Sequence, residues 1–177
     1  MKDPQYPVGK FSFEKDVSPG RRKEIIDEMA SLPERLRSAL GGLSKAQLDL
    51  PYRVGGWTVR EVVHHLADGF MNWYIRIKLA LTENDPAVKP FDQEAWSRLS
   101  DSRAASPELS VTVFEALTAR AVVLLRSISP ADFGRTMRHP ERGQISVDYA
   151  LQTLCWHNTH HIAHIESLGR TGGEALA

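Results

Sequence analysis

Six of the chain's seven histidines fall into two groups, His64-His65 near one third of the length and His157, His160, His161 and His164 near the end. Neutral imidazole is a common ligand for zinc, nickel and related ions, so clustered histidines raise metal chemistry before any other. At 100° per residue, a helix through Val59 to Ile77 puts Val59, Val62, Val63, Leu66, Phe70, Trp73 and Ile77 on one apolar face. His65, Gly69, Asn72 and Arg76 follow one another at steps of four, three and four along the edge of that face. His64 falls on the opposite side, near Asp68, Met71 and Ile75.

The last histidines read in the same way. Val147, Ala150, Leu151, Leu154, Ile162, Ile165 and Leu168 form a core face, with Cys155 at its edge and His161 close to it. Thr153, His157, His160 and His164 make an edge stripe, and the four-residue step from His160 to His164 lets two rings converge on one ion. His65 from a neighbouring helix would complete three neutral ligands, although the spacing equally admits His157. Three protein ligands leave coordination positions open for water or substrate, the mark of a catalytic rather than a structural site. Gly69, one turn from His65, would leave room beside the ion. Single histidines such as His64, His139 or His161 read first as hydrogen-bonded packing residues.

Other chemistries lack their signatures. There is no His-Glu-x-x-His run, no Gly-x-Ser-x-Gly elbow, no phosphate loop and no dinucleotide fingerprint. Gly55-Gly56 reads as a turn, Cys155 as a small core residue, and Asp68 as a solvated or supporting carboxylate. Tyr52, Arg53, Trp57, Asn72 and Arg76 are candidates to line a pocket beside the histidines.

These residues need helices to position them, and the chain supplies four long helical patterns. The first starts near Arg21, runs through Ile25, Met29, Leu32, Leu36 and Leu40, meets Pro33 as a kink or break, and ends at Gly41-Gly42. Leu43 to Leu50 could add a short helical piece. Thr58 with Glu61 forms a capping-box pattern for the second long helix, which reaches about Leu81. Residues 82–105 read as a long connection with a helical turn around Glu94 to Arg98. Ser106-Pro107 opens the third helix, which reaches Ile128. Residues 132–145 read as a loop or short irregular pair of segments, and Ser146 caps a fourth helix from Val147 to Leu168 that Gly169 stops. Pro4, Pro7, Gly9 and Pro19 make residues 1–19 an extended arm. The expectation is a single all-α domain over 1–177, a four-helix bundle with a long connection between its second and third helices.

Composition agrees with one soluble globular domain. The 177 residues carry 22 Lys+Arg against 22 Asp+Glu, so no uniform field attracts nucleic acid or an anionic membrane. One cysteine, no apolar leader and no membrane-length apolar run make the cytoplasm the expected location.

The segments Tyr6 to Phe11, Gln47 to Arg53, Gly55-Gly-Trp-Thr-Val-Arg-Glu-Val-Val-His-His-Leu-Ala-Asp68, Met71-Asn72, Tyr74 to Lys78, Trp156-His157 and His160 to Ile165 together resemble the YfiT-type proteins of the DinB-like superfamily. The likeness spans nearly the whole chain. It departs where that family carries Ser-His after Ala-Asp and Ser after Met-Asn; here stand Gly69-Phe70 and Trp73. The resemblance implies a four-helix bundle, a homodimer, and one divalent zinc or nickel ion per chain on His65, His160 and His164. It further implies a metal-dependent transferase joining a low-molecular-weight thiol such as bacillithiol to an electrophilic small molecule. Arg76 and Arg53 are the candidates for a carboxylate on the thiol, since a guanidinium can make a paired contact with such a group. A hydrolase that activates water at the same ion, and a non-catalytic bundle with His157 closing the coordination, are the alternatives.

Overall fold

The computed structural model describes residues 5–170, with the side chain of Arg170 excepted. The outer ends of the expected arm and domain, residues 1–4 and 171–177, lie outside the described residues.

Four long helices form the body: α1 (Pro19–Gly41), α3 (Val59–Thr82), α6 (Pro107–Ser127) and α7 (Val147–Arg170). Short helices α2 (Lys45–Leu48), α4 (Gln93–Ser97) and α5 (Ser100–Ala104) interrupt the connections. The caps explain the boundaries. Ser18 accepts from the Arg21 amide at 3.1 Å, and Thr58 with Glu61 closes the capping box of α3. Ser146 accepts from the Tyr149 amide at 3.1 Å at the start of α7.

Three local outcomes differ from the sequence expectation. α1 passes through Pro33 without splitting; Met29, Leu32 and Leu36 are fully buried on either side of it, and their packing outweighs the lost backbone bond. α7 likewise runs through Gly169 to Arg170. Residues 130–146 are ordered as a 3-10 turn (Pro130–Gly134) and an antiparallel hairpin, β1 (Thr136–His139) and β2 (Gly143–Ser146). Its tight turn needs the positive φ of 71° at Gly143.

α1 packs on α6 and α7, and α3 packs on the same two, so α1 and α3 lie diagonally across the bundle. The connections after α1 and after α6 therefore cross it, and only the α3 to α6 link joins neighbours. Phe70, Phe114, Met29, Leu32, Leu66, Leu151 and Ile162 fill the centre. Phe70 and Phe114 meet edge to face at 5.4 Å.

The N-terminal arm is fastened along α7. Glu14 and Gln152 exchange two bonds, Glu14 N to Gln152 Oε1 and Gln152 Nε2 to the Glu14 carbonyl, both 2.9 Å. Trp156 Nε1 donates to the Gly9 carbonyl at 3.2 Å. The hairpin is tied to the long connection, since Val88 N donates to the Arg138 carbonyl and Arg138 N to the Pro86 carbonyl. Among the described residues no helix is long and apolar enough to cross a membrane.

Candidate metal centre and cavity

Two facing helices build a cluster of five imidazoles. α3 supplies His65, and the i, i+3 and i, i+4 spacings of α7 supply His157, His160, His161 and His164. Two sets of three nitrogens lie within 4.8 Å of one another: His65, His157 and His161, and His160, His161 and His164. His161 belongs to both. The spacing triad His65, His160 and His164 thus straddles the sets, with His160 and His164 together at 4.3 Å between ring centroids and His65 on the other side of His161 at 4.8 Å.

His65 Nε2 lies 3.0 Å from His157 Nε2, a hydrogen bond between one donor and one acceptor nitrogen. Nitrogens that share one ion at about 2.1 Å lie about 3.0–3.4 Å apart, so this pair is already spaced for shared ligation. Gly69 serves His157 rather than open space: a Cβ there would stand 3.1 Å from His157 Cε1.

Aromatic walls hold the rings. Tyr52 stacks on His164 at 4.0 Å, Trp156 on His160 at 4.8 Å, and Trp57 packs on His65 at 4.6 Å. Burial pushes His65 and His161 well below the ordinary imidazole pKa, with neighbouring histidines adding to the effect. The same cause takes His157 down to about 4 and lowers His160. The rings are consequently neutral at pH 7, as metal ligation requires. Among the described residues, His160 Nδ1 and His161 Nδ1 are buried without a hydrogen-bond partner. Neither set includes a carboxylate. A borderline ion that favours imidazole, such as zinc or nickel, suits this donor set better than magnesium or calcium.

A cavity of about 1160 Å³ opens beside His65 and His157 and extends along α3 past Gly69, Asn72 and Trp73 to Arg76. Its other walls come from the long connection, from the hairpin end and from Phe11 of the arm. Of the residues expected around the site, Asn72 and Arg76 line this cavity, the former also donating to the Asp68 carbonyl at 2.9 Å. Trp57 walls the histidines instead. Arg53 does not line this cavity; it donates to Tyr52 Oη at 3.3 Å and to the Val54 carbonyl at 3.2 Å, beside the ring that stacks on His164.

His64, by contrast, is buried toward α6, its Nδ1 2.7 Å from Ser110 Oγ. It is a packing residue. Cys155 is also a core group, its thiol raised to about 12 chiefly by burial. His139 and Arg142 at the cavity wall had no sequence signal, because the hairpin alone brings them near α3.

The sequence profile of the DinB superfamily matches residues 28–165. A candidate metal-dependent hydrolase of Oceanobacillus iheyensis is 46% identical over 164 residues, covering 93% of this chain and 95% of that protein. The candidate metal-dependent hydrolase YfiT of Bacillus subtilis is 43% identical over 169 residues and covers 95% of each. The solved structure of Bacillus subtilis YfiT, described as a probable metal-dependent hydrolase with an unusual four-helix bundle topology, superposes with a TM-score of 0.92. It covers 96% of this chain and 98% of that one.

Proposed function

The chain belongs to the DinB superfamily, and from that premise we propose that it is a metal-dependent enzyme whose divalent zinc or nickel ion is held by His65, His160 and His164. The observation that carries the reading is the convergence of imidazoles from two helices, of which His65 and His157 line a large cavity. The ion supplies Lewis acidity that lowers the pKa of a thiol or water, so that the stronger nucleophile is available at neutral pH. The chain's own residues do the remaining work. His157 packs edge-on against His65, ring centroids 5.0 Å apart, and supports it in position, and Tyr52, Trp57 and Trp156 fix the rings and exclude water from their faces. Asn72 and Arg76 face the reactants along the cavity.

The reaction we assign is transfer of a low-molecular-weight thiol such as bacillithiol to an electrophilic small molecule. The thiol sulfur forms a bond to the electrophilic carbon, the leaving group departs with its electron pair, and the thiol proton passes to solvent. The absence of a carboxylate from both histidine sets favours this course, because a pre-ionised thiolate needs no general base. Hydrolysis is the second reading, favoured by the description of the relatives as candidate hydrolases.

The test is elemental analysis of untagged protein beside its His160→Ala variant, followed by turnover. About one zinc or nickel per chain, lost in the variant, with conjugation of 1-chloro-2,4-dinitrobenzene only when bacillithiol is added, is the expected result. Metal-dependent ester cleavage without thiol would decide for hydrolysis. Failure to take up either metal would remove the enzyme reading altogether.

A further inference from the structure

The end of the cavity away from the five-histidine cluster holds a cation, Arg76, that forms no ion pair among the described residues. Arg76 is only 5% exposed. Its Nη2 donates to the Lys89 carbonyl at 2.8 Å, its Nε is buried without a partner among the described residues, and its guanidinium lies over the Trp73 ring at 4.9 Å. Among the described residues no carboxylate forms an ion pair with it. Burying a guanidinium without an anion is costly, since the charge loses water and gains no compensating partner.

The surroundings sharpen the point. The hairpin brings His139, stacked on Trp73 at 6.4 Å, and Arg142 to the same end of the cavity. Burial first, and then Arg142, lower the Arg76 pKa, with Glu141 opposing more weakly. The cavity also carries Asp92, Glu94 and Glu141. Asp92 is spent as a helix cap, accepting from the Ala95 amide at 2.9 Å, and both glutamates are exposed. Of the charges near Arg76, the Arg142 cation therefore weighs more on it than the Glu141 carboxylate.

We infer that this end of the cavity is a subsite for the terminal carboxylate of an elongated small molecule, with Arg76 as the main contact and Arg142 as its helper. Eleven residues separate His65 from Arg76 on one helix edge, a rise of about 16 Å. The ligand therefore has its reacting group and its carboxylate at opposite ends. Phe91, Trp96 and Trp156 also line the cavity, which suits an apolar or aromatic middle. A guanidinium makes paired, charge-assisted bonds to a carboxylate that it cannot make to a neutral amide. The subsite deepens the proposed function by defining the substrate class, yet it binds without the ion.

The experiment uses full-length protein stripped of metal by a chelator, which removes the ion as a competing carboxylate ligand. Trp73, Trp96 and Trp156 line the cavity, so intrinsic tryptophan fluorescence reads occupancy. The probes are 4-phenylbutyrate and its neutral counterpart, 4-phenylbutanamide. The wild type is expected to bind the carboxylate at least tenfold more tightly than the amide, and Arg76→Gln to bring the ratio close to one. Arg142→Ala, at an exposed position where the side chain donates to Tyr149 Oη at 2.9 Å, is expected to lower the ratio about threefold. It decides the matter if Arg76→Gln does not fold. Equal affinity for the two probes in the wild type, a ratio that survives Arg76→Gln, or, should that variant not fold, a ratio unchanged in Arg142→Ala would overturn the subsite. Loss of thiol transfer with the probe ratio intact would overturn the proposed reaction and leave the subsite standing.

Discussion

His157 faces Gly69 so closely that the glycine's missing side chain is part of the histidine pair: a Cβ at residue 69 would stand 3.1 Å from His157 Cε1, while His157 Nε2 is 3.0 Å from His65 Nε2. Gly69→Ala would gain about 1 kcal/mol of helix propensity in α3. It would also press the His157 ring away by a few tenths of an ångström, at a comparable cost. The expected outcome is a melting temperature within about 3 °C of wild type and zinc affinity at least threefold weaker. Calorimetry and competition with a chromophoric chelator check both. Unchanged affinity would show that the His157 ring position is irrelevant to the ion.

His161 lies in both histidine sets, so a series of alanine variants locates the ion. With His65, His160 and His164 as the ligands, each of those three substitutions weakens zinc binding more than a hundredfold, beyond the 10–100-fold usual for supporting residues. His157→Ala and His161→Ala then cost less than a hundredfold. Strong loss in His157→Ala and His161→Ala, with binding kept in His160→Ala and His164→Ala, would place the ion on His65, His157 and His161 instead.

The contrast between these histidines and the hairpin shows what the sequence carried. Helical spacing brought His65, Gly69, Asn72 and Arg76 to one edge, and the Thr58-Glu61 capping box fixed where that edge starts. Both are local features, set by the 3.6-residue turn. His161 was harder, because its own helix places it near the core face and only the register of α3 against α7 reveals that it meets His65. His139 was not legible at all. It reaches Trp73 through a hairpin of four-residue strands whose pairing with 86–88 is non-local. Arg53 and Arg76 looked equivalent as cavity candidates; the structure separates them, since Arg76 is buried in the cavity wall while Arg53 bonds Tyr52 and Val54.

Arg22 and Asp148 join the starts of α1 and α7 through two bonds, Nε to Oδ1 at 2.8 Å and Nη2 to Oδ2 at 2.6 Å. Their side chains are 16% and 14% exposed, so the pair is mostly shielded from water. Asp148 also stands in the first turn of α7, where a negative charge is favoured. Asp148→Asn keeps the shape but leaves the guanidinium without its anion, at a cost of about 2–3 kcal/mol. Thermal unfolding is expected about 5–10 °C lower, with metal content per folded chain unchanged. A shift under 2 °C would mean that the pair contributes no more than an exposed one.

Asp68 gives the metal-free protein a defined response to pH. Burial, with Asp101 adding repulsion, raises its carboxyl pKa from 3.8 to about 6. Between those values the unfolded chain has released this proton and the folded chain still holds it, so the group's contribution to stability falls as pH rises from about 4 to 6 and stays low above 6. Asp68→Asn removes the penalty, because an amide has no charge to desolvate. The variant is therefore expected to match wild type near pH 4 and to gain stability up to pH 7, by less than about 3 kcal/mol because water still screens this half-buried group. Urea unfolding in the presence of a chelator, at pH 4.5, 5.5 and 7, measures the difference. A gain independent of pH would assign the effect to packing, and a loss at pH 7 would show that the ionised carboxylate is held by a stabilising partner.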